Sequence, residues 1–113
     1  MKFDQRMAKQ GPLPSLDLID KSMTDQRLED VLRKCSRKSY STIWLSYNRI
    51  TDAGLEALCE ALRQNSAPTG LYLEHNAITD SGVEVLLELL TINCSLTTVK
   101  LDGNNVRSAG SVM

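Results

Sequence analysis

The chain has 113 residues, of which 42% are hydrophobic and 24% charged, so it can form one domain with a modest core. Its formal net charge is −1, and its densest basic run, residues 33–38, fits the C-terminal end of a helix better than a nucleic-acid surface. It contains no apolar stretch of about 18 residues and no apolar run near its N-terminus, so we expect no membrane span, no signal peptide and a cytoplasmic or nuclear location.

Residues 1–12 precede the first patterned segment of the chain. They contain no apolar run, although Phe3 and Met7 are large apolar side chains. We predict that these residues form a poorly ordered N-terminal extension, and that residues 13–113 form a single repeat domain.

The first patterned unit covers residues 13–39. Leu16 and Leu18 alternate with other residues, which is the period of a half-buried strand. A helical stripe follows, with side chains at i, i+3, i+4 and i+7: Leu28, Val31, Leu32 and Cys35. The unit therefore predicts a strand followed by a helix, and we expect Cys35 to be a small buried residue of that helix.

The second and third units, residues 40–67 and 68–95, repeat this plan. Their strands are predicted at "TIWLS" and "GLYLE", where apolar residues alternate with others. Thr51 and Thr79, each followed by Asp, stand where a helix needs an N-cap and an acidic first turn. The two helical stripes are Leu55, Leu58, Cys59 and Leu62, then Val83, Leu86, Leu87 and Leu90.

The fourth unit, residues 96–113, opens with the strand "TVKLD" and stops after the first turn of its helix. Arg107 and Ser108 replace the Thr–Asp pair of the two units before it. We therefore expect the helix around residues 83–90 and the strand around residues 99–101 to be uncovered along one side. Either the sequence belongs to a longer repeat array, or the chain self-associates through this C-terminal edge.

Corresponding residues recur along the chain at a spacing of 28. This shift aligns Leu45 with Leu73 and Leu101, and it places three asparagines in one column: Asn48, Asn76 and Asn104. A single strand and helix cannot cover their own apolar face, so neighbouring units must stack. We predict that each asparagine amide binds backbone groups of its own and the adjoining unit, in a bend where those groups would otherwise be unpaired.

The pattern LxxLxLxxNxL occurs three times, as "YSTIWLSYNRI", "PTGLYLEHNAI" and "LTTVKLDGNNV". With the "ITDxG" start of the helix and the 28-residue period, it resembles the ribonuclease-inhibitor-like class of leucine-rich repeats. That resemblance implies an α/β fold, a right-handed solenoid of about four repeats with parallel strands on the concave side and α-helices on the convex side. The first unit departs from the pattern at Lys21 and Arg27, which replace the asparagine and the glycine, so we interpret it as an N-terminal cap.

The sequence lacks the usual signatures of catalysis and of cofactor binding. It has no P-loop, GxSxG, HExxH or GxGxxG motif, and His75 is the only histidine. No Cys/His spacing resembles a zinc site, and we expect Cys59 to be buried and Cys94, in a loop, to be the most accessible thiol. Four helical carboxylates are expected on a solvated outer face: Glu56, Glu60, Glu84 and Glu88. We predict a protein that is not an enzyme and has no cofactor and no metal site.

Strand alternation predicts which side chains face outward. Because Ile43 and Leu45 point into the core, the residues between and beside them point out of the concave face. Across the strands this places Trp44 beside Tyr72. We predict that this face binds a protein partner, as the resemblance also implies, through Asp17, Trp44, Ser46, Tyr47, Tyr72, Glu74, His75, Lys100 and Asp102.

The outward aromatic side chains also have a purely structural interpretation. Cross-strand aromatic pairs stabilise sheets without any partner, and residues 1–12 could cover Trp44 with Phe3 or Met7.

A second functional hypothesis is a structural or assembly subunit, for example of a cytoskeletal or axonemal complex. Such a subunit would bind through its C-terminal edge and not through the concave face. For both binding roles, through the concave face or through the C-terminal edge, we expect the partner to be a protein, and neither a nucleic acid nor a membrane.

Overall fold

The computed structural model describes residues 13–35, 38–65, 67–92 and 95–107. Within these ranges four short strands alternate with three helices, which confirms the predicted order of strand and helix in the units. In chain order the elements are β1 (Ser15–Asp17), α1 (Asp25–Lys34), β2 (Thr42–Trp44), α2 (Asp52–Gln64), β3 (Gly70–Tyr72), α3 (Asp80–Ile92) and β4 (Thr98–Lys100). The expectations for the N-terminal extension and for Cys94 fall outside the described residues.

The four strands form one parallel sheet in the order β1–β2–β3–β4, so each unit adds its strand beside that of the preceding unit. The register pairs Asp17 with Trp44, then Trp44 with Tyr72, then Tyr72 with Lys100. The helices pack side by side, with α2 between α1 and α3. Strands and helices therefore form two layers that grow together along the chain, as in the predicted solenoid.

The core is built from aliphatic side chains that recur from unit to unit. Leu45, Leu73 and Leu101 occupy the same place in three successive units and are fully buried, as are Leu55 and Leu58 of α2. Burial of one leucine side chain contributes about 1.5–3 kcal/mol, so these repeated positions hold the units together. The four carboxylates predicted on the outer helical face are all exposed: Glu56, Glu60, Glu84 and Glu88.

α3 differs from its predicted apolar stripe. Leu87 is 46% exposed, whereas Cys59, its counterpart in α2, is 1% exposed. Leu89, which the predicted stripe omits, is fully buried together with Leu86. The reason is the position of the helix: α2 has a helix on both sides, and within the described residues α3 has one on one side only.

Cys35 is not buried in α1 as predicted. The helix ends at Lys34, and Cys35 is its C-cap residue, half-buried at the edge of the core. The hydroxyl of Tyr40 donates a hydrogen bond to Cys35 Sγ at 3.5 Å. The helical stripe therefore loses its last member because the backbone leaves the helix there.

Asparagine side chains link successive units at the ends of the strands. Asn76 Nδ2 donates to the backbone oxygen of Leu45 in the preceding unit at 2.9 Å, and Asn76 Oδ1 accepts from the N–H of Ile50 at 3.0 Å. Asn48 and Asn104 likewise bond to backbone groups of their own unit and of the unit before it. The column thus joins three pairs of neighbouring units.

A second set of contacts, which the sequence pattern does not reveal, joins the starts of the helices. Asp52 Oδ1 accepts from the N–H of Thr79 at 2.8 Å, and Asp52 Oδ2 accepts from the Thr79 hydroxyl at 2.5 Å. Asp25 holds Thr51 in the same way. The threonine and aspartate that begin one helix therefore also bind the neighbouring units.

Candidate functional site

The outward side chains of the strands form rows that run across the concave face from unit to unit. The register places Asp17, Trp44, Tyr72 and Lys100 side by side, and we call them the Trp44 row. The rings of Trp44 and Tyr72 are stacked, with centroids 4.0 Å apart and planes 11° from parallel. Both side chains are half-buried, so the stack stands on the sheet with part of its surface open to solvent.

A second aromatic pair lies just beyond the ends of the strands. Tyr47 and His75 have positive φ angles of 61° and 56°, and their rings stack with centroids 4.5 Å apart. Asp20, with φ 53°, and Gly103, with φ 80°, occupy the same place in the first and last units. We call these four residues the Tyr47 row. Left-handed backbone is uncommon for residues with side chains, so its recurrence shows that the turn is set by the repeat.

Between these rows lies a third, the Ser46 row, formed by Ile19, Ser46, Glu74 and Asp102. Ser46 is not the exposed contact residue that strand alternation predicts, because it is 6% exposed and its hydroxyl donates to Glu74 Oε1 at 2.8 Å. A short side chain between two rows of rings does not reach past them. Ser46 therefore holds the carboxylate of Glu74 in place.

Acidic groups outnumber basic ones on the three rows. Lys100 contributes one ammonium group, at the end of the Trp44 row. In the described part of the chain, neither Lys100 nor any of the row carboxylates forms an ion pair. The carboxylates are Asp17, Asp20, Glu74 and Asp102. The rings thus stand among charges that are mainly negative and open to a partner.

The structure brings most of the predicted contact residues to one surface. Strand alternation does not identify Asp20 or Gly103, because it ends with the strand and does not describe the left-handed position beyond it. The 27-residue shift that aligns Leu18 with Leu45 also aligns Asp20 with Tyr47, and this is the signal in the sequence that identifies the position. The predicted residues on the surface are Asp17, Trp44, Tyr47, Tyr72, Glu74, His75, Lys100 and Asp102.

Outside the concave face, the described residues mainly pack the units against one another. No cluster of His, Cys, Asp and Glu among them has the grouping that a metal ion needs, and none of their helices is long and apolar enough to cross a membrane.

Burial raises the pKa of the Cys59 thiol to about 11, so this thiol is protonated at neutral pH. A cavity of about 90 Å³ lies between the first two units, beside Leu32, Cys35 and Tyr40, and does not include the aromatic rows.

Known proteins with the same pattern and fold were found in two comparisons. The family model of the leucine-rich repeat matches residues 44–59 and 69–87. Among solved structures 29 chains match, and one of them is titled "Leiomodin-1 Actin-Binding Site 2 (ABS2)". It has a TM-score of 0.72 and 21% sequence identity over 87% of this chain and 57% of its own length, so this chain spans a little over half of it. Among curated proteins, no match is found.

The two matched segments run from a strand through the bend into the following helix. Each contains an asparagine of the inter-unit column, Asn48 or Asn76, and each contains the Thr–Asp pair that joins neighbouring helix starts. The repeating strand and helix, the hydrogen bonds between units and the family match lead to the same conclusion. The chain contains leucine-rich repeats and has their solenoid fold.

Proposed function

We propose that this chain is a non-catalytic interaction module that binds a protein partner on its concave face. The observation that carries the proposal is the presence of two stacked aromatic pairs, Trp44 with Tyr72 and Tyr47 with His75. Tyr47 is 58% exposed. Trp and Tyr are enriched among the interface residues that dominate binding energy, so two such pairs on one face favour a contact surface.

Stabilisation of the sheet alone explains this arrangement less well than a contact surface does. A cross-strand aromatic pair contributes about 0.2–1 kcal/mol to a sheet. Tyr47 and His75, however, stack beyond the regular strands and in left-handed backbone. Rings already held by stacking lose little rotamer freedom when a partner covers them, which lowers the cost of binding.

Actin is the first partner to test. The similar domain of leiomodin-1 carries actin binding in its title, and this chain shares its fold. The free thiols of Cys35 and Cys59 suit the reducing cytoplasm, where we place the protein.

The test compares partner capture by the wild-type chain and by a Trp44→Ala/Tyr72→Ala variant. Purified actin filaments are used in cosedimentation, and lysate is used for capture with identification of bound proteins by mass spectrometry. The matched control is Glu56→Ala/Glu84→Ala, which changes two exposed residues on the helical side. We expect the aromatic variant to lose a partner that the control retains.

Equal capture by the aromatic variant, with a circular dichroism spectrum like that of wild type, would contradict the proposal. That result would move the interaction to another surface of the molecule. The circular dichroism control is needed because the Trp44–Tyr72 stack also contributes to the sheet.

A second candidate surface is the exposed side of α3. Leu87 is 46% exposed, and Val83 and Leu90, which lie on the same stripe of the helix, are half-buried. Exposed apolar side chains on a helix flank favour contact with another protein or with a second copy of the chain. This surface suits a structural or assembly role, for example in a cytoskeletal or axonemal complex. Capture that survives Trp44→Ala/Tyr72→Ala and is lost on Leu87→Gln would support it.

A further inference from the structure

In each stack, the ring nearer the first unit has its second face turned toward that unit. Nearly parallel rings with centroids 4.0 Å and 4.5 Å apart each cover one face of the other. The second face of Trp44 is therefore turned toward Asp17, its neighbour on β1. The second face of Tyr47 is turned toward Asp20, because the backbone bonds of this row follow the same lateral order.

Each of these ring faces thus has an aspartate beside it. Asp17 and Asp20 are exposed, and within the described ranges neither forms an ion pair. An aspartate side chain is short, so it leaves space against the ring for a long side chain from outside. Because neighbouring parallel strands lie about 4.8 Å apart, a cation placed against the ring is also within reach of the carboxylate.

The opposite ends of the two rows differ from the first-unit end. A Cβ atom added to Gly103 would lie 2.4 Å from His75 Nδ1, so the imidazole already rests against the backbone of Gly103. At the end of the other row Lys100 lies next to Tyr72 and supplies a cation of the chain's own. A basic ligand is therefore attracted to the first-unit end of the face and not to the Lys100 end.

We propose that the concave face binds a basic segment of its protein partner, an inference that rests on the proposed function and adds the chemistry of the partner. One Arg or Lys side chain lies between Asp17 and Trp44. A second lies between the equivalent residues, Asp20 and Tyr47. The ring attracts the cation through its quadrupole, and the carboxylate adds a charge-assisted contact.

The spacing of the two places defines the segment further. Asp17 and Asp20 are three residues apart along the chain, but β1 ends at Asp17 and a turn with left-handed Asp20 follows, so they lie closer together than the about 10 Å that three extended residues span. Two basic side chains that are close together in the partner segment, for example separated by two residues, would reach both places. Lys21 and Arg49 follow this turn and are exposed. Neither forms an ion pair among the described residues, so neither neutralises Asp17 or Asp20 by direct contact.

The test uses Trp44 fluorescence, because Trp44 is the only tryptophan and stands at one of the two places. The probe is the peptide acetyl-Gly-Arg-Gly-Gly-Arg-Gly-amide, titrated at low salt, and the control ligand carries Glu in place of both Arg residues. The variant Asp17→Asn/Asp20→Asn removes both charges with little change of shape. The variant Glu56→Gln/Glu84→Gln removes the same net charge from the helical side.

We expect a saturable change of fluorescence with the Arg peptide and none with the Glu peptide. The affinity of the Asp17→Asn/Asp20→Asn variant should be at least about threefold lower than that of the Glu56→Gln/Glu84→Gln variant. Equal affinities of these two variants, or equal responses to the two peptides, would overturn the proposal.

The chain's own N-terminal residues are the alternative occupant. They carry three basic side chains, and a variant of the full chain with Lys2→Gln, Arg6→Gln and Lys9→Gln removes them. We expect this variant to bind the Arg peptide as wild type does. Binding that appears only in this variant would overturn the proposal of a partner segment.

Failure of this inference can be told apart from failure of the proposed function. A partner that is lost from the Trp44→Ala/Tyr72→Ala variant but retained by Asp17→Asn/Asp20→Asn contradicts the basic segment and leaves the concave face as the binding surface. A partner retained by both variants contradicts both proposals.

Discussion

Asn76 shows how one side chain satisfies the backbone where two units meet. Its amide nitrogen donates to Leu45 of the preceding unit and to Leu73 of its own, at 2.9 Å and 3.1 Å. Its oxygen accepts from the N–H of Ile50 at 3.0 Å. The oxygens of Leu45 and Leu73 also accept from Asn48 and Asn104, so without the Asn76 amide the buried N–H of Ile50 is the group that would lack a partner.

We predict that Asn76→Ala lowers the free energy of unfolding by about 1–3 kcal/mol, because it leaves the buried N–H of Ile50 unpaired. Denaturant unfolding measures the change. The matched control is Asn105→Ala, since Asn105 is exposed and contacts Ile78 through its backbone N–H. Equal unfolding midpoints for the two variants would show that the asparagine column does not link the units.

Cys59 is the least accessible of the described thiols. It is 1% exposed, and burial raises its pKa to about 11, whereas Cys35 is half-buried at the end of α1. The thiolate is the reactive form, and its fraction rises with pH toward the pKa. Cys59 therefore combines poor access with a very small thiolate fraction at neutral pH.

We predict that under native conditions at pH 8 a maleimide reagent labels Cys35 before Cys59, and that Cys59 reacts only after denaturant is added. Peptide mass mapping of partly labelled protein gives the order. Because the pKa of Cys59 is raised to about 11, its thiolate fraction at pH 8 is smaller than in the unfolded chain, so its rate at that pH should also be lower. Labelling of Cys59 as fast as Cys35 in folded protein would contradict its place in the core.

At the scale of the elements, α2 and α3 each begin against the start of the preceding helix. A Cβ atom added to Gly82, in the first turn of α3, would lie 2.3 Å from Asp52 Oδ1, the atom that accepts the N–H of Thr79. Gly54 stands in the same relation to Asp25, at 2.2 Å. Glycine is required at this place because the aspartate of the preceding unit passes so close to the backbone.

We predict that Gly82→Ala lowers the free energy of unfolding by about 1–3 kcal/mol through overpacking, although alanine is the better helix former by about 1 kcal/mol. Thermal unfolding compares it with Ser81→Ala, a change at the exposed neighbouring residue. In an Asp52→Ala background the cost of Gly82→Ala should shrink, since the two residues then no longer collide. An unchanged cost in that background would mean that Asp52 does not impose the glycine.

The elements and their register can be predicted from the sequence because three regularities determine them. These are the strand period of two residues, the helix period of 3.6 residues and the 28-residue repeat. The 28-residue shift pairs Trp44 with Tyr72, and the sheet has this register. Contacts that depend on a second unit are harder to predict. Asp52 is already explained as the acidic residue in the first turn of its own helix. Its position in the repeat therefore gives no reason to expect the bond to Thr79 in the next unit. The burial of Ser46 likewise depends on lateral neighbours that strand alternation does not describe.

The same limit explains the error in the stripe of α3. The repeat spacing transfers the stripe of α2 to α3, which assumes equal surroundings for both helices. Cys59 has a neighbouring helix on its side, and Leu87 has none among the described residues. Periodicity identifies the face of a helix, whereas burial depends on what packs against that face.

At the scale of the whole molecule, Leu87 of α3 is a large apolar side chain that is 46% exposed. We predict that the 113-residue chain forms dimers or larger species at micromolar concentration, and that Leu87→Gln shifts the population toward monomer. Sedimentation velocity measures this, with Glu84→Gln on the same helix as control. A wild-type chain that sediments as a 12.5 kDa monomer throughout would contradict the prediction.

The concave face combines features from every level of the molecule. The repeat spacing fixes the register, the register places Trp44 against Tyr72, and the turn beyond the strands adds Tyr47 and His75. The rings are held before any partner arrives, so most of the binding energy is expected to depend on a few side chains. That expectation distinguishes a binding surface from a sheet that is only stabilised by its aromatic residues.

The most direct test is calorimetric titration of a captured partner against wild type, Trp44→Ala and Glu56→Ala. If the concave face is the binding surface, Trp44→Ala weakens binding by about 2 kcal/mol or more, roughly 30-fold, and Glu56→Ala leaves the affinity unchanged. If Trp44→Ala binds within about twofold of wild type while Glu56→Ala is impaired, the partner lies on the helical side and the concave face is not the binding surface.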